Sequence, residues 1–277
     1  MDRDRSPIVV SASDPSRAAR RGRDACDHRR AHSGGGDVER SFLLVSDVDN
    51  TLLGDEEATK RFADWLEARR PQVRLALNSG RFGSSLLQSV ASSALPQPDA
   101  IIGGVGTQIL IGPDWEPLAG WPPVIDWDAG AVRDVLASAP RTELQPEEFL
   151  SPYKVSAYAH ELTDADVREL ERRIAAAGVQ ARVVYSSSRD LDVLPHGIDK
   201  GSAAIRLAAY WGYGADEILV AGDSGNDQAM FSINALGIVV ANAHPELKQL
   251  NSDRVFQCSR AYAHGVVEGA EHWIAKA

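Results

Sequence analysis

The chain has 277 residues, 44% of them hydrophobic, which is ample for one folded core with a smaller second domain. Its formal net charge of −10 gives no support to nucleic-acid binding, and no apolar run reaches the roughly 18 residues that a membrane span requires. The two cysteines, Cys26 and Cys258, offer no disulfide framework. We therefore expect a cytoplasmic protein without a membrane or nucleic-acid partner.

The first 40 residues differ in composition from the rest of the chain. They carry nine Arg against seven Asp and Glu, a net charge of +2, which leaves −12 for residues 41–277. Apolar residues show almost no periodicity here, and Gly34-Gly35-Gly36 is typical of a linker. The segment also lacks the apolar centre of a secretory signal. Residues 1–40 are therefore predicted to be a disordered N-terminal extension.

From residue 41 the pattern alternates between strands and helices. Strands are predicted at 41–47, 73–79 and 100–104, and helices at 56–69 and 82–93. Such alternation predicts an α/β fold in which a parallel sheet has helices on both faces.

After Gly112-Pro113 the pattern changes. The predicted elements are a helix at 129–138, a strand at 153–159, a helix at 163–177 and strands at 181–186 and 191–194. Thr163 and Asp166 form a capping-box pattern at the start of the second helix, and Gly178 is its stop signal. We therefore divide the chain into a core of residues 41–111 and 196–277 and an inserted α+β domain of residues 112–195.

Two carboxylates stand where the first predicted strand ends. Asp47 and Asp49 follow the apolar run from Phe42 to Ser46, and residues two apart leave an extended segment on the same side. Ligands of open α/β sheets bind at the carboxyl ends of strands, and two close carboxylates need a cation or a shared proton. The pair predicts a Mg²⁺-dependent phosphoryl-transfer site with Asp47 as nucleophile and Asp49 as acid/base.

Three further polar motifs stand at the ends of predicted elements: one lies at the end of the strand at 73–79, one opens a helical pattern over residues 201–211, and one follows a buried-strand pattern at 218–221. They are Asn78-Ser79-Gly80-Arg81, Asp199-Lys200-Gly201 and Gly222-Asp223-Ser224-Gly225-Asn226-Asp227. Only five lysines occur in the chain, so Lys200 at a helix start indicates a need for a compact ammonium group. Carboxylates, a hydroxyl and an ammonium at such positions can hold Mg²⁺ and a phosphoryl group.

The order of these motifs resembles that of the haloacid-dehalogenase-like (HAD) phosphatases, from residue 42 to about residue 227. Four segments look like the sucrose-phosphate phosphatases of this superfamily: 48–55, 104–107, 190–195 and 222–227. Three others are still more similar to the sister group, the mannosylfructose-phosphate phosphatases: 78–81, 95–99 and 101–107. The resemblance implies a HAD-like core with a cap domain of the C2 type.

The resemblance also implies roles for individual residues. Asp47 would form an aspartyl-phosphate, and Asp49 would protonate the departing sugar oxygen. The phosphate-binding residues would be Ser79, Gly80, Lys200 and Asn226. The Mg²⁺ ligands would come from Asp47, Asp49 (through its backbone carbonyl), Asp223 and Asp227. Thr51 is expected to close the turn after Asp49 with its hydroxyl, and His244 to cap the final helical turn.

The cap is expected to exclude water and to bind the sugar part of the substrate. Asp190 and Asp192, two apart on a predicted strand, would accept hydrogen bonds from sugar hydroxyls, unless they only form the solvent face of an edge strand. Lys154 is a further candidate for sugar binding, against the alternative of a surface position. Thr107 and Gln108 complete the predicted substrate-binding residues.

The sequence does not decide whether the donor sugar is glucosyl or mannosyl. One residue departs from the sucrose-phosphate phosphatases and another departs from the mannosylfructose-phosphate phosphatases. Gln108 stands where sucrose-phosphate phosphatases tend to have Glu, and Asn50 stands where the mannosylfructose enzymes have Gly. The main hypothesis is a phosphatase for sucrose 6F-phosphate or mannosylfructose 6F-phosphate, working with a glycosyltransferase of the same pathway. The alternatives are a HAD phosphatase for another sugar or glycoside phosphate and a non-catalytic sugar-phosphate sensor.

Overall fold

Two β-sheets and eight α-helices are found in residues 40–123, 126–147, 151–186 and 188–277, which the computed structural model describes. The strands are β1 (Phe42–Ser46), β2 (Val73–Asn78), β3 (Ala100–Gly103), β4 (Gln108–Ile111), β5 (Glu116–Pro117), β6 (Thr142–Leu144), β7 (Val155–Ala159), β8 (Ala181–Ser186), β9 (Asp190–Pro195), β10 (Ile218–Gly222), β11 (Leu236–Val239) and β12 (Val255–Gln257). The helices are α1 (Glu56–Arg69), α2 (Gly83–Ser92), α3 (Ala129–Ala137), α4 (Asp164–Ala176), α5 (Lys200–Trp211), α6 (Gln228–Phe231), α7 (Pro245–Lys248) and α8 (Tyr262–Ile274). The prediction for the N-terminal extension lies outside these residues, apart from Arg40.

The larger sheet has the strand order β12-β11-β10-β1-β2-β3-β4-β5. The six strands from β12 to β3 are parallel, and β4 and β5 add an antiparallel edge. All five residues of β1 are fully buried, as expected for a central parallel strand with an unbroken apolar sequence. The predicted parallel sheet is confirmed, and its antiparallel edge is an addition to the prediction.

Helices cover both faces of this sheet. Phe62 of α1 and Trp273 of α8 pack on one face, and Ala204 and Leu207 of α5 pack on the other. Within the described residues, no helix combines the length and the apolarity needed to cross a bilayer.

The strand order reverses between β1 and β10. These two strands are neighbours, yet the chain continues from β1 to β2 on one side and from β10 to β11 on the other. The loops that follow them therefore diverge and leave a crevice at the carboxyl ends of the strands. Asp47 and Asp223, each directly after one of these strands, lie at this crevice.

The smaller sheet, of order β6-β7-β9-β8, is antiparallel and forms the cap. Leu136 of α3 and Leu170 of α4 pack against Val155 and Val193 of this sheet. The predicted capping box of α4 is confirmed, because the Asp166 backbone N–H donates to the Thr163 hydroxyl and the Thr163 N–H donates to the Asp166 carboxylate.

The predicted start of the cap at residue 112 is too early. Gly112-Pro113 lies in the connection between β4 and β5, which pair with each other in the larger sheet. Leu118 then packs with Ile109 in the core. The Gly-Pro signal marks a turn of the core here, because turn chemistry is the same within a domain and at its boundary.

Candidate active site

Lys200 is the centre of the polar cluster at the crevice. Its side chain is fully buried, and its Nζ lies 2.7 Å from Asp47 Oδ1, 2.6 Å from Asp227 Oδ1 and 3.0 Å from Asn226 Oδ1. The motifs after β1 and β10 and at the start of α5 thus meet at one ammonium group. The predicted convergence of these motifs is what the structure shows.

The position of Lys200 is determined by packing around the first turn of α5. The Asp199 carboxylate caps this helix by accepting a hydrogen bond from the Ser202 N–H at 2.7 Å. On the other side, Asn78 Nδ2 donates to the Lys200 carbonyl at 3.0 Å. Gly106 packs so closely that a Cβ atom there would lie 2.2 Å from the Asp199 carbonyl oxygen. The helix start is therefore held from three directions.

Asp227 has no exposed surface, and both of its carboxylate oxygens already accept bonds. Oδ1 accepts from Lys200, and Oδ2 accepts from the backbone N–H groups of Asp223 at 3.0 Å and Ser224 at 3.1 Å. Asp227 therefore fixes both the lysine and the loop that carries Asp223. The sequence predicted Asp227 as a direct Mg²⁺ ligand. The three hydrogen bonds that its carboxylate accepts leave fewer lone pairs free for a metal ion than that prediction requires.

The burial of these charges changes their protonation. Burial raises the pKa of Asp47 to about 8, with Lys200 opposing and Asp227 adding to the rise. Burial, followed by the Asp227 charge, raises the pKa of Asp223 to about 6. Burial alone would lower the pKa of Lys200, but Asp227 and Asp47 outweigh it and raise that pKa above its ordinary value. Burial of these carboxylates close together therefore disfavours their ionised forms.

The charge balance of this cluster suits a divalent cation. Ligand atoms of Asp47, Asp223 and Asp227 lie within 4.8 Å of one another, and all three residues are buried. If all three carboxylates are ionised, one ammonium leaves two negative charges uncompensated, and the raised pKa values of Asp47 and Asp223 have the same physical origin. Carboxylate oxygens are the ligands that Mg²⁺ prefers. The residues present therefore fit the metal that the sequence predicts.

Asp49 differs from Asp47 in its surroundings. Its side chain is 54% exposed, and its Oδ2 lies 3.0 Å from Nε of Arg81. Ser79 is buried beside the cluster, and its hydroxyl oxygen accepts a hydrogen bond from the Arg81 backbone N–H at 3.2 Å. The motif after β2 therefore faces the motif after β1, as the parallel sheet requires.

A cleft of about 260 Å³ joins the core to the cap. Its lining residues are Asp47, Asp49, Asn50, Ser79, Gly80, Arg81, Gln145, Lys154, Asp190, Asp192, Asp223, Ser224, Asn226 and His244. Residues after β1, β2 and β10 thus share one cavity with residues of the cap sheet.

The cap side of the cleft carries its own charge cluster. Lys154 Nζ lies 3.1 Å from Asp192 Oδ1, and the Ser156 hydroxyl donates to the same oxygen at 2.6 Å. Lys154 is only 5% exposed and lies over the Phe82 ring of the core, 5.0 Å from its centroid. Asp190 Oδ1 accepts from Gln145 Nε2 at 3.3 Å. The cap residues predicted from sequence thus line the cleft, but Lys154 and Asp192 are a buried pair and not free surface groups.

Thr107 and Gln108, predicted to bind substrate, do not line the cleft. The Thr107 hydroxyl donates to the Gly104 carbonyl at 2.9 Å, and Gln108 Oε1 accepts from the Gly83 N–H at 3.0 Å. Both side chains hold neighbouring loops together. Thr51 also differs from expectation, because its hydroxyl donates to Asp223 Oδ1 at 3.3 Å instead of closing its own turn.

Five residues of the cleft wall had no predicted binding role: Asn50, Arg81 and Ser224 lie within motifs that the sequence singled out, whereas Gln145 and His244 lie outside them. His244 was expected only as a helix cap, and it does precede α7, but its side chain caps nothing and lies at the cleft. Gln145 lies in the cap just after the short strand β6, in a stretch without a pattern of its own. No local signal in the sequence connects either residue with Asp47.

Comparison with known proteins extends this picture. A family model described as sucrose-6F-phosphate phosphohydrolase matches residues 40–274. Mannosylfructose-phosphate phosphatase of Agrobacterium fabrum is 39% identical over 238 residues, which cover 83% of this chain and 96% of that protein. Sucrose-phosphatase 1 of Nicotiana tabacum is 31% identical over 250 residues, which cover 84% of this chain and 59% of that protein.

Solved structures show the same relationship in the fold. Sucrose-phosphatase of Synechocystis, determined with sucrose and phosphate, has a TM-score of 0.75 at 27% identity and covers 84% of this chain and 98% of its own. A sugar phosphatase of HAD subclass IIB has a TM-score of 0.64 at 15% identity, covers 84% of this chain and 99% of its own, and shows the fold alone.

Proposed function

The chain belongs to the sucrose-6F-phosphate phosphohydrolase family of HAD phosphatases, and we propose that it removes the phosphate group from a fructose-containing disaccharide phosphate. The observation that carries this proposal is the shared cleft, which Asp47 and Ser79 of the core line together with Lys154 and Asp192 of the cap. A phosphate group at the core carboxylates would leave its sugar facing the cap. Sucrose 6F-phosphate and mannosylfructose 6F-phosphate are the two candidate substrates.

In this proposal Asp47 is the nucleophile. A carboxylate oxygen of Asp47 forms a bond to phosphorus while the bond between phosphorus and the sugar oxygen breaks. Asp49 gives its proton to the departing sugar oxygen. Water then attacks the aspartyl-phosphate, Asp49 takes up a proton from that water, and the bond between Asp47 and phosphorus breaks. Phosphate and the dephosphorylated disaccharide are the products.

The surrounding residues hold the phosphoryl group and the nucleophile. Lys200 contacts Asp47 and is placed to neutralise phosphoryl oxygens as they approach it. The Ser79 hydroxyl and the backbone of Gly80 would donate hydrogen bonds to the same group, and Asn226 fixes the lysine from the opposite side. All of them lie at the ends of regular elements, which keeps their positions precise.

Asp47 and Asp223, with the backbone carbonyl of Asp49, would hold Mg²⁺, and Asp227 would support them through Lys200 and the Asp223 loop. When bound, the ion neutralises charge between the nucleophile and the phosphate. Lys200 compensates only part of the negative charge of the cluster, so both Lys200 and the metal ion would be needed to neutralise it.

The cap would provide recognition of the sugars. Asp190 and Asp192 present acceptors for sugar hydroxyls, and Lys154 presents a donor beside them. A cap over the strand ends also limits the access of water during transfer. A glycosyl transfer must make the disaccharide phosphate beforehand, and a partner glycosyltransferase and a cytoplasmic location remain predictions.

A phosphate-release assay tests the proposal. The purified full chain with Mg²⁺ should hydrolyse sucrose 6F-phosphate or mannosylfructose 6F-phosphate with a kcat/KM far above that for fructose 6-phosphate, glucose 6-phosphate and glucosylglycerol phosphate. Comparable values for all of them would indicate a general sugar phosphatase. No phosphate release from any substrate would overturn the catalytic assignment and favour the sensor hypothesis.

A further inference from the structure

Arg81 has no role in the reaction described above, yet its guanidinium lies in the cleft against Asp49. The distance from Arg81 Nε to Asp49 Oδ2 is 3.0 Å. In the described part of the chain, Arg81 is the one partner of the Asp49 carboxylate. Because that carboxylate is half-exposed, it would otherwise be free to rotate between rotamers in water.

Arg81 is itself held by its neighbours. Its Nη1 donates to the Ser89 hydroxyl of α2 at 2.9 Å. Its backbone N–H donates to the Ser79 hydroxyl oxygen at 3.2 Å, and its carbonyl accepts from the Gly104 N–H at 2.9 Å. The guanidinium is therefore fixed at its tip by a helix and at its backbone by two loops.

We propose that Arg81 is a positioning residue, which holds the Asp49 carboxylate in one orientation at the cleft so that it can exchange a proton with the leaving oxygen. The inference rests on the proposed function, in which Asp49 is the acid/base. When a catalytic group is already held in its reactive orientation, it loses less conformational entropy in reaching the transition state. The contact is an ion pair and not a hydrogen bond, because Nε and Nη2 of Arg81 have no hydrogen-bond partner among the described residues. The orienting force on Asp49 is therefore the charge of a guanidinium that Ser89 holds in place.

A competing role for Arg81 is direct binding of phosphoryl oxygens, since it also lines the cleft. The two roles differ in their dependence on the leaving group. A residue that acts through Asp49 matters when the leaving oxygen needs a proton, whereas a residue that binds the phosphoryl group matters for every phosphate ester.

Benzyl phosphate and para-nitrophenyl phosphate make a matched pair of probes. They are similar in size, but the benzyl alkoxide requires protonation and the nitrophenolate leaves without it. We expect Arg81→Gln to lower the rate for benzyl phosphate by about tenfold or more and the rate for para-nitrophenyl phosphate by less than about threefold. Single-turnover measurements of alcohol or phenol release, with enzyme in excess, report the transfer step even when hydrolysis is slow.

Three further variants make the test specific. Arg81→Lys should retain part of the benzyl phosphate rate, and Ser89→Ala should show a smaller loss with the same leaving-group dependence. The double variant Asp49→Asn with Arg81→Gln should be no slower on benzyl phosphate than Asp49→Asn alone, because both changes remove one function. Arg61→Gln, an exposed arginine of α1 paired with Glu57, is the matched control and should be unchanged.

Equal losses of Arg81→Gln on both probes, or no loss on either, would overturn the inference. If Asp49→Asn itself shows no leaving-group dependence, the acid/base role within the proposed function is wrong. If Asp49→Asn shows it and Arg81→Gln does not, only the positioning role fails. If thermal unfolding shows that Arg81→Gln does not fold, Ser89→Ala, which removes a single hydroxyl, gives the decision.

Discussion

At the scale of single residues, the buried ammonium of Lys200 allows several carboxylates to lie close together in the core. Lys200 contacts Asp47 and Asp227, and without an ammonium there three buried carboxylates would face one another. A buried charge is tolerated only when it is paired and hydrogen-bonded, and Lys200 has three such partners. In the proposed mechanism, Mg²⁺ would neutralise the negative charge that Lys200 leaves uncompensated.

The proposed nucleophile, Asp47, gives the first prediction. Asp47→Asn keeps the shape of the side chain but removes the oxygen nucleophile, so turnover of the disaccharide phosphate should fall by several orders of magnitude. Phosphate release by purified protein measures this loss. Asp64→Asn, at an exposed position of α1, is the matched control and should keep normal turnover. An Asp47→Asn variant with more than about a tenth of normal turnover would show that Asp47 is not the nucleophile.

Metal dependence is the second prediction. A site of carboxylate oxygens should be active with Mg²⁺, and Ca²⁺, which is larger and less demanding in geometry, should bind and inhibit. Treatment with EDTA followed by dialysis should abolish phosphate release, and Mg²⁺ should restore it. Undiminished activity of protein shown by elemental analysis to be metal-free would exclude this mechanism.

The pH dependence of stability follows from the raised pKa values. Asp223 and Asp47 have folded-state pKa values of about 6 and about 8 against 3.8 for a free Asp, so the folded protein holds protons that the unfolded chain releases. Their stabilising effect is complete below pH 3.8 and is lost as pH rises through about 6 and about 8.

Metal-free protein should therefore lose thermal stability from about pH 4 to about pH 8, and Asp223→Asn should lose less between about pH 4 and about pH 6. Thermal unfolding in EDTA at several pH values measures the difference between the two proteins. If the unfolding temperatures of the two proteins fall equally with pH, the raised pKa of Asp223 is contradicted. Mg²⁺ should stabilise the unsubstituted protein most at the upper end of this range, because it competes with protons for the carboxylates.

At the scale of elements, the site depends on how closely α5 approaches the loop after β3. Gly106 has a φ of +99°, and its Cα faces the Asp199 carbonyl with no room for a side chain. Lys200 directly follows Asp199 and is the first residue of α5. Any shift of this helix start therefore moves the ammonium group away from Asp47. A glycine outside the predicted site motifs thus sets the position of Lys200, which is proposed to bind the phosphoryl group.

Gly106→Ala should lower both thermal stability and turnover. The cost combines an unfavourable φ with a Cβ atom 2.2 Å from a backbone oxygen. Gly178→Ala is the matched control, because Gly178 also has a positive φ, +84°, but no atom within 4 Å of the added Cβ. The control should lose stability from backbone strain and keep its turnover. If both variants have the same turnover, the close approach does not determine the position of Lys200.

At the scale of the whole molecule, recognition requires the cap and the core to share one cleft. The contact of Lys154 with the Phe82 ring joins the cap sheet to the loop that carries Ser79. Because Lys154 and Asp192 pair with each other in a nearly buried position, removing either charge alone leaves the other unpaired. Loss of recognition must therefore be separated from damage to the cap.

Asp192→Asn should lower kcat/KM for the disaccharide phosphate about ten- to a hundredfold, since a hydrogen bond to a charged group is worth about 1.5–3 kcal/mol. The rate with para-nitrophenyl phosphate, which does not reach the cap, should stay almost unchanged. Glu171→Gln, on the exposed side of α4, is the control for the cap as a whole. Equal losses on both substrates would mean that Asp192 supports the fold and does not bind sugar.

The local chemistry of the sequence was sufficient for much of the core. The apolar run of β1 predicts a central strand, and the capping box of α4 predicts its start, because these signals depend on neighbours along the chain. The sequence motifs also indicated which residues meet at the strand ends. Parallel strands bring their carboxyl ends together whatever the intervening loops contain.

Only the tertiary structure decided which side chains pair with which. The contact of Asp49 with Arg81 and the pairing of Lys154 with Asp192 depend on strand order and register, which local patterns do not encode. The antiparallel edge of β4 and β5 and the position of Gln145 have the same origin. Thr107 and Gln108 follow a glycine-rich motif but lie away from the cleft, because chain proximity places a residue near a strand end and packing decides which way it faces.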